Sequence, residues 1–407
     1  METADEIGRR ELIALLAMAT ALTALGIDLM LPAFNDIRAD LGLAADSTAV
    51  TGLVTAYFVG LGAGTIFYGP LADNRGRRWT MRLGLAIYIG GALLATVAPT
   101  LPTLFLARFL WGLGAAGPRV VALAVIRDRF DGDEMSKTMS SMMAIFILVP
   151  VVAPALGSAV LLIAPWRWLF ALCAVWAVAI AVWVRRLPET LAPEHRIPDL
   201  RFHRVVTAAR YVVSNRTAFS YAVGVTALYG VFSSYLGSAE AIFDKTFDAE
   251  GIFPLVFGAL AAVMGCAALL NGRIVSTVGT TPMVVRALAG YGTGALLFVV
   301  VAVASGGRPP LVVFMVIMAV MLAFHALLLP NLNTLAMAPM AAVAGTASSV
   351  IGAFQLAIGA SLGGVLDRFF DGTITPLAIG FVLSAAATTV AVFSARRADV
   401  APATVVD

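Results

Sequence analysis

The chain has 407 residues, of which 60% are apolar and only 13% charged, with a formal charge of +3. A soluble domain carries about 45–50% apolar and about 25% charged residues. So apolar a chain cannot hide its side chains in water, which excludes a soluble enzyme, a nucleic-acid binder and a disordered protein and leaves a polytopic membrane protein.

A membrane-crossing helix needs about 20 mostly apolar residues. In chain order the runs fall at 11–33, 48–71, 80–98, 102–126, 139–162, 166–187, 216–240, 251–272, 282–304, 310–335, 343–367 and 374–395, which predicts twelve spans. The first run follows Arg9 and Arg10 like a signal peptide, but it is too long for an h-region and contains Asp28, so it reads as a retained helix. The runs do not alternate as barrel strands of about 10 residues would. With the N-terminus in the cytoplasm, twenty Lys and Arg fall inside, five outside, and Arg108 and Arg119 within the membrane. This asymmetry predicts both termini inside a cell membrane. The polar stretch 188–215 divides the spans six and six. It predicts an N-terminal bundle over 1–187, a cytoplasmic linker, and a C-terminal bundle over 216–407, as in a duplicated transporter. Cys173 and Cys266 lie in apolar runs without metal-ligand spacing, and read as small buried hydrophobes.

Between the second and third runs the chain reads Gly69-Pro70-Leu71-Ala72-Asp73-Asn74-Arg75-Gly76-Arg77-Arg78. This resembles the G-x-L-a-D-r-x-G-R-R signature of the major facilitator superfamily. A degraded echo, Asn271-Gly272-Arg273 followed by Gly279, stands between the eighth and ninth runs. The fourth run carries Arg108-Phe109-Leu110-Trp111-Gly112-Leu113-Gly114-Ala115, similar to the family's R-F-x-Q-G-x-G-A with Trp for Gln. Asp28-Leu29-Met30-Leu31-Pro32-Ala33, Ile126-Arg127-Asp128 and Ala344-Gly345-Thr346-Ala347-Ser348-Ser349 are similar to the Bcr/CflA group of drug:proton antiporters. Two departures stand out. The fifth run has Val149-Pro150-Val151-Val152-Ala153-Pro154-Ala155-Leu156-Gly157 in place of a Gly-Pro pair, and Thr20 stands where some relatives have a second acid. The resemblance implies an all-α membrane protein of twelve helices in two pseudo-symmetric bundles, working by alternating access. Helices 1, 4, 7 and 10 would line its cavity.

A charge at the bilayer centre costs roughly 2.5–3.5 kcal/mol on the gentlest scale. Asp28 and Arg108 lie at equal depth, some 8–9 Å below the outer surface at about 1.5 Å per residue, and opposite in sign. They read as a pair, a proton-binding carboxylate with a switchable partner, or else as a static salt bridge or an Asp28 that merely caps the loop. Burial favours the neutral carboxyl and a nearby guanidinium favours the carboxylate, so a changing separation loads and releases a proton. Arg119 lies three turns beyond Arg108 on the same helix face, next to Pro118. It is either bonded to carbonyls that the proline frees or a cavity cation selecting against dications. His325, Asn331 and Asn333 in the tenth run are proton or substrate groups, or interhelical glue. Glu240, near the outer end of the seventh, reads as solvated.

Tyr229, Phe232 and Ser233 share a helix face. With Tyr57, Met142, Met143, Phe146 and Tyr235 they make a candidate adaptable cavity wall. The resemblance further implies a latch: Asp73 capping helix 11, and Arg77 pairing with Asp128. A carboxylate is favoured at a helix N-terminus. The function expected is a proton-coupled multidrug exporter of small lipophilic neutral or anionic compounds, the alternative being a facilitator or symporter for a metabolite. No P-loop or metal constellation appears. The partners expected are a drug-like small molecule, protons and the lipid bilayer, with no enzyme activity, cofactor or nucleic acid and a monomeric state.

Overall fold

A computed structural model describes residues 7–197 and 202–400, and every regular element in them is helical. The long helices are α1 (Arg9–Asp28), α2 (Gly52–Arg75), α3 (Arg77–Val97), α4 (Leu101–Arg129), α5 (Gly132–Leu161), α6 (Arg167–Trp183), α7 (Arg216–Ala241), α8 (Phe253–Val278), α9 (Thr280–Ala304), α10 (Leu311–Met337), α11 (Ala344–Asp367) and α12 (Thr375–Val400). Among the described residues eleven are long and apolar enough to cross a membrane; in α5 the described apolar stretch is Leu148–Leu161.

The ends of the spans depart from the hydropathy reading where backbone chemistry intervenes. The first run was expected to reach residue 33, but α1 stops at Asp28. A 3-10 turn follows at Leu31–Ala33 and a short helix at Phe34–Asp40. Pro32 lacks the N–H that a continuing helix would use, and sits at the start of the turn instead. The signature expected in a loop is mostly helical: α2 runs through Arg75 and is ended by Gly76 at φ +97°. That conformation favours glycine. Gly279 stands between α8 and α9 at φ +84°, so the degraded echo keeps the same backbone device in the second half. The stretch 188–215 includes a helix, Phe202–Ser214. Cys173 is buried, as expected; Cys266, also read as buried, is exposed.

By packing the chain forms two units, one of residues 1–202 and 250–262 and one of 203–249 and 263–407. Residues 188–197 therefore go with the first unit, as does the beginning of α8. The backbone contact of Gly258 with the Val151 carbonyl belongs to this unit.

In the first unit α4 packs backbone to backbone between α2 and α3. A Cβ on Gly112 would overlap the Tyr57 carbonyl, and one on Gly114 the Tyr88 amide. The small residues of the fourth-run motif are thus contact points, as in membrane helix pairs generally. Trp111 is wholly buried and meets Tyr57, Tyr88 and Phe170 edge-on. In the second unit Gly363 of α11 lies against the backbone of Gly230 and Ser234 on α7. Thr388 of α12 donates to the Gly224 carbonyl at 3.3 Å.

Candidate functional site

The C-terminal part of α1 gathers donors from three helices. Tyr88 Oη donates to Leu22 O at 3.0 Å and Tyr57 Oη to Thr23 O at 3.1 Å. Arg108 Nη1 donates to Gly26 O at 2.6 Å. The last four carbonyls of a helix have no partner within it, and Gly26 O is one of them. Arg108 therefore caps α1, with a cation at the favoured end of the dipole. Its Nε donates to Leu53 O at 3.3 Å, and its guanidinium lies 4.5 Å from the Tyr57 ring centre and 4.9 Å from that of Trp111. Cation–π contacts of this kind contribute about 2 kcal/mol each when desolvated. These contacts let Arg108 stand with no exposed surface.

Asp28 is 4% exposed. The equal-depth reading paired it with Arg108, but among the described residues no ion pair or hydrogen bond joins the two. The guanidinium is held by carbonyls and rings, while its Nη2 is buried and makes no hydrogen bond. A buried acid and a buried unused donor thus share the C-terminal end of α1. Thr20, one of the two departures, donates to Leu16 O at 2.9 Å and touches Met142 Sδ at 3.7 Å.

Arg119 is half-buried on α4 beside Pro118 and, among the described residues, makes no hydrogen bond or ion pair. The carbonyl-bonded alternative has no such bond here. Tyr57, expected on a cavity wall, has no exposed surface, and its ring and hydroxyl are spent on Arg108 and α1. Met142 is buried against Thr20. The side chains of Met143 and Phe146 lie outside the described residues.

At the α2–α3 turn, Arg77 Nε and Nη2 reach the two oxygens of Asp128 at 2.9 and 3.3 Å, and Nη1 reaches Asp73 at 2.6 Å. The forked geometry is the one in which arginine binds a carboxylate most strongly. Sequence reasoning missed a fourth member. Glu189 accepts from the backbone N–H of Arg77 at 2.7 Å and of Arg78 at 3.2 Å. It caps α3 from 112 residues away, because Gly76 offers no side chain to do so. Thr190 donates to Asp128 at 2.8 Å, and Ile197 N to Asp73 O at 3.0 Å. The only sequence signal was Glu189-Thr190 just past the end of the sixth run. Glu189→Ala is expected to cost about 1 kcal/mol, the usual worth of an N-cap, read as a lower unfolding midpoint in detergent. An unchanged midpoint would mean that water replaces this cap at no cost.

In the second unit Tyr229 and Phe232 meet edge-on at 6.1 Å, and Phe232 stacks on His325 at 4.9 Å. Both ring nitrogens of His325, and the hydroxyl of Ser233, are buried without a hydrogen bond among the described residues. These α7 and α10 side chains are brought together as expected. Asn331 instead ties α10 to α8, donating to Asn271 Oδ1 at 2.7 Å and to Leu327 O at 2.6 Å. Asn333 donates to Gln355 at 3.4 Å. Tyr235 is buried on α7. Glu240, expected to be solvated, is only 2% exposed, because the chain runs on from α7 into a π turn at Ile242–Thr246 and α7 packs against α10, α11 and α12. Asp367, not singled out by the sequence, is 3% exposed and accepts from Ser234 Oγ at 2.5 Å.

Residues 16–364 match the profile of the Major Facilitator Superfamily. The chain is 30% identical over 383 residues to an uncharacterized MFS-type transporter of Bacillus subtilis (strain 168), YdgK, with 92% of each chain covered. It is 28% identical over 376 residues to the bicyclomycin resistance protein homolog of Haemophilus influenzae, covering 90% of this chain and 91% of that one. Among solved structures, a D-xylose-proton symporter shares the fold with a TM-score of 0.75 at 13% identity, over 92% of this chain and 96% of that one. Fold, spans and sequence agree: the chain is a membrane transporter, not an enzyme, and belongs to the Major Facilitator Superfamily.

Proposed function

We propose that this transporter is a proton-coupled exporter of small neutral or anionic drug-like compounds, with both termini cytoplasmic. The observation that carries the reading is the outer end of α1: a buried Asp28 held by no hydrogen bond or ion pair among the described residues, and a buried Arg108, bonded to Gly26 O of the same helix end, with one donor unused. Buried carboxylates in membrane helices mark ion pathways. In the state described here Arg108 caps Gly26 and leaves Asp28 able to hold a proton. A shift of the α1 end that brings Arg108 Nη2 to Asp28 would favour the carboxylate and expel the proton. Reloading from the other side while substrate crosses in the opposite direction completes an exchange. The likeness to a bicyclomycin resistance protein homolog supports a drug as the exported partner. The Phe232–His325 stack with Tyr229 and Ser233 supplies flat apolar surface and unused hydrogen-bonding atoms for it. The ion triad of Asp73, Arg77 and Asp128 serves as a gate, away from the substrate.

Purified protein in liposomes with an imposed pH gradient tests this: bicyclomycin should be concentrated against its gradient, and the accumulation should vanish with a protonophore. Accumulation that ignores the protonophore would overturn proton coupling. Arg119 gives a second expectation in the same assay. A free cation within the bundle repels cationic substrates, so Arg119→Ala should admit monocationic dyes that the wild type rejects. An unchanged substrate profile would show that Arg119 does not set charge preference.

A further inference from the structure

The opening helix of each half carries a buried acid at the same end. α1 finishes on Asp28, 4% exposed, and α7 carries Glu240 as its penultimate residue, 2% exposed. In both, the α-helix then changes form: to a 3-10 turn at Leu31–Ala33, and to a π turn at Ile242–Thr246. Turns of the π type are rare and concentrate at functional sites. The halves also share the positive-φ glycines that join α2 to α3 and α8 to α9. The acid is therefore part of a duplicated arrangement.

A glutamate is almost never this buried in a protein without a reason in charge or proton binding. The elements packed on α7 contribute few charged or titratable groups. The π turn brings Asp244 and Lys245, α10 brings His325, and α11 brings Asp367. α12 brings none before Arg396 at its far end. Asp367 is engaged by Ser234 and ties α7 to α11. Glu240 lies six residues before the end of the π turn at Thr246, about 9 Å at 1.5 Å per residue, and the turn is half-buried from Asp244 to Thr246.

We propose that Glu240 is a second proton-binding carboxylate, so that two protons, one through each half, are exchanged per substrate molecule. The inference rests on the antiport reading above. Each carboxylate takes one proton from outside and releases it inside, and for a neutral substrate each cycle moves two positive charges inward. No bond other than O–H forms or breaks.

The test is the equilibrium accumulation of radiolabelled bicyclomycin in proteoliposomes, under a gradient of one pH unit with the membrane potential clamped at zero by potassium and valinomycin. Each coupled proton multiplies the ratio about tenfold. The wild type should reach about a hundredfold, Glu240→Gln about tenfold, and Glu240→Asp, which keeps the ionisable group, the wild-type ratio. A wild-type ratio of about tenfold, or a Glu240→Gln ratio equal to wild type, overturns the second site and leaves antiport standing. A wild type that does not respond to the gradient overturns antiport and this inference together. If Glu240→Gln does not reconstitute, the wild-type ratio alone decides.

Discussion

Arg77→Ala is expected to abolish transport and to destabilise the first unit by about 3 kcal/mol. Removing one partner of a buried ion pair costs about 3–5 kcal/mol, because the other charge stays behind. The Arg77 side chain is 8% exposed and that of Asp128 19%, which favours the lower end of the range. Asp73 is 45% exposed and adds little, since solvent screens it. Arg77→Lys is expected to lose most of the same function, because a single ammonium cannot reproduce the two-pronged contact with Asp128 while also reaching Asp73. Transport in proteoliposomes and the unfolding midpoint in detergent read the two effects separately. A destabilised Arg77→Ala protein that still transports would show that the triad is structural and no gate.

Asp28→Asn is expected to lower gradient-driven accumulation by about tenfold per pH unit, the contribution of one proton. Asn keeps the shape and hydrogen bonding of the side chain but cannot ionise. Substrate binding and passive exchange should survive, since Asp28 is not among the aromatic side chains of α7 and α10. Arg108→Ala should lose the same tenfold and also stability, for it leaves Gly26 O and Leu53 O without their donor and two rings without their cation. Equilibrium accumulation and the unfolding midpoint separate the two variants. An Asp28→Asn protein that tracks the pH gradient as wild type does would remove Asp28 from the mechanism and make His325 the next residue to test.

What could be read from the chain alone is what a bilayer makes one-dimensional. Spanning needs length and apolarity together, so the twelve runs and the class of protein followed from counting. Local backbone detail was read less well: the motif expected in a loop runs on as helix to Arg75, where Gly76 ends it, and the close helix contacts at Gly112 and Gly114 emerge only in the fold. The family followed from the Asp73-to-Arg78 segment, and Arg77 does meet Asp128. The partners of the intramembrane charges were not legible. Asp28 and Arg108 stand at one depth, but depth says nothing of azimuth, and Arg108 turns to Gly26, Leu53, Tyr57 and Trp111 instead. Tyr57 and Asn331 have residue types suited to a cavity, yet one is spent on the Thr23 carbonyl of α1 and on Arg108 and the other ties α10 to α8. Glu189 and the Ser234–Asp367 bond join residues 112 and 133 positions apart. No local pattern encodes such contacts. The sequence by itself determined which segments cross and where charge sits along them. Tertiary structure alone decided which polar group each charge meets, because in hydrocarbon that choice depends on the rotation and packing of neighbouring helices.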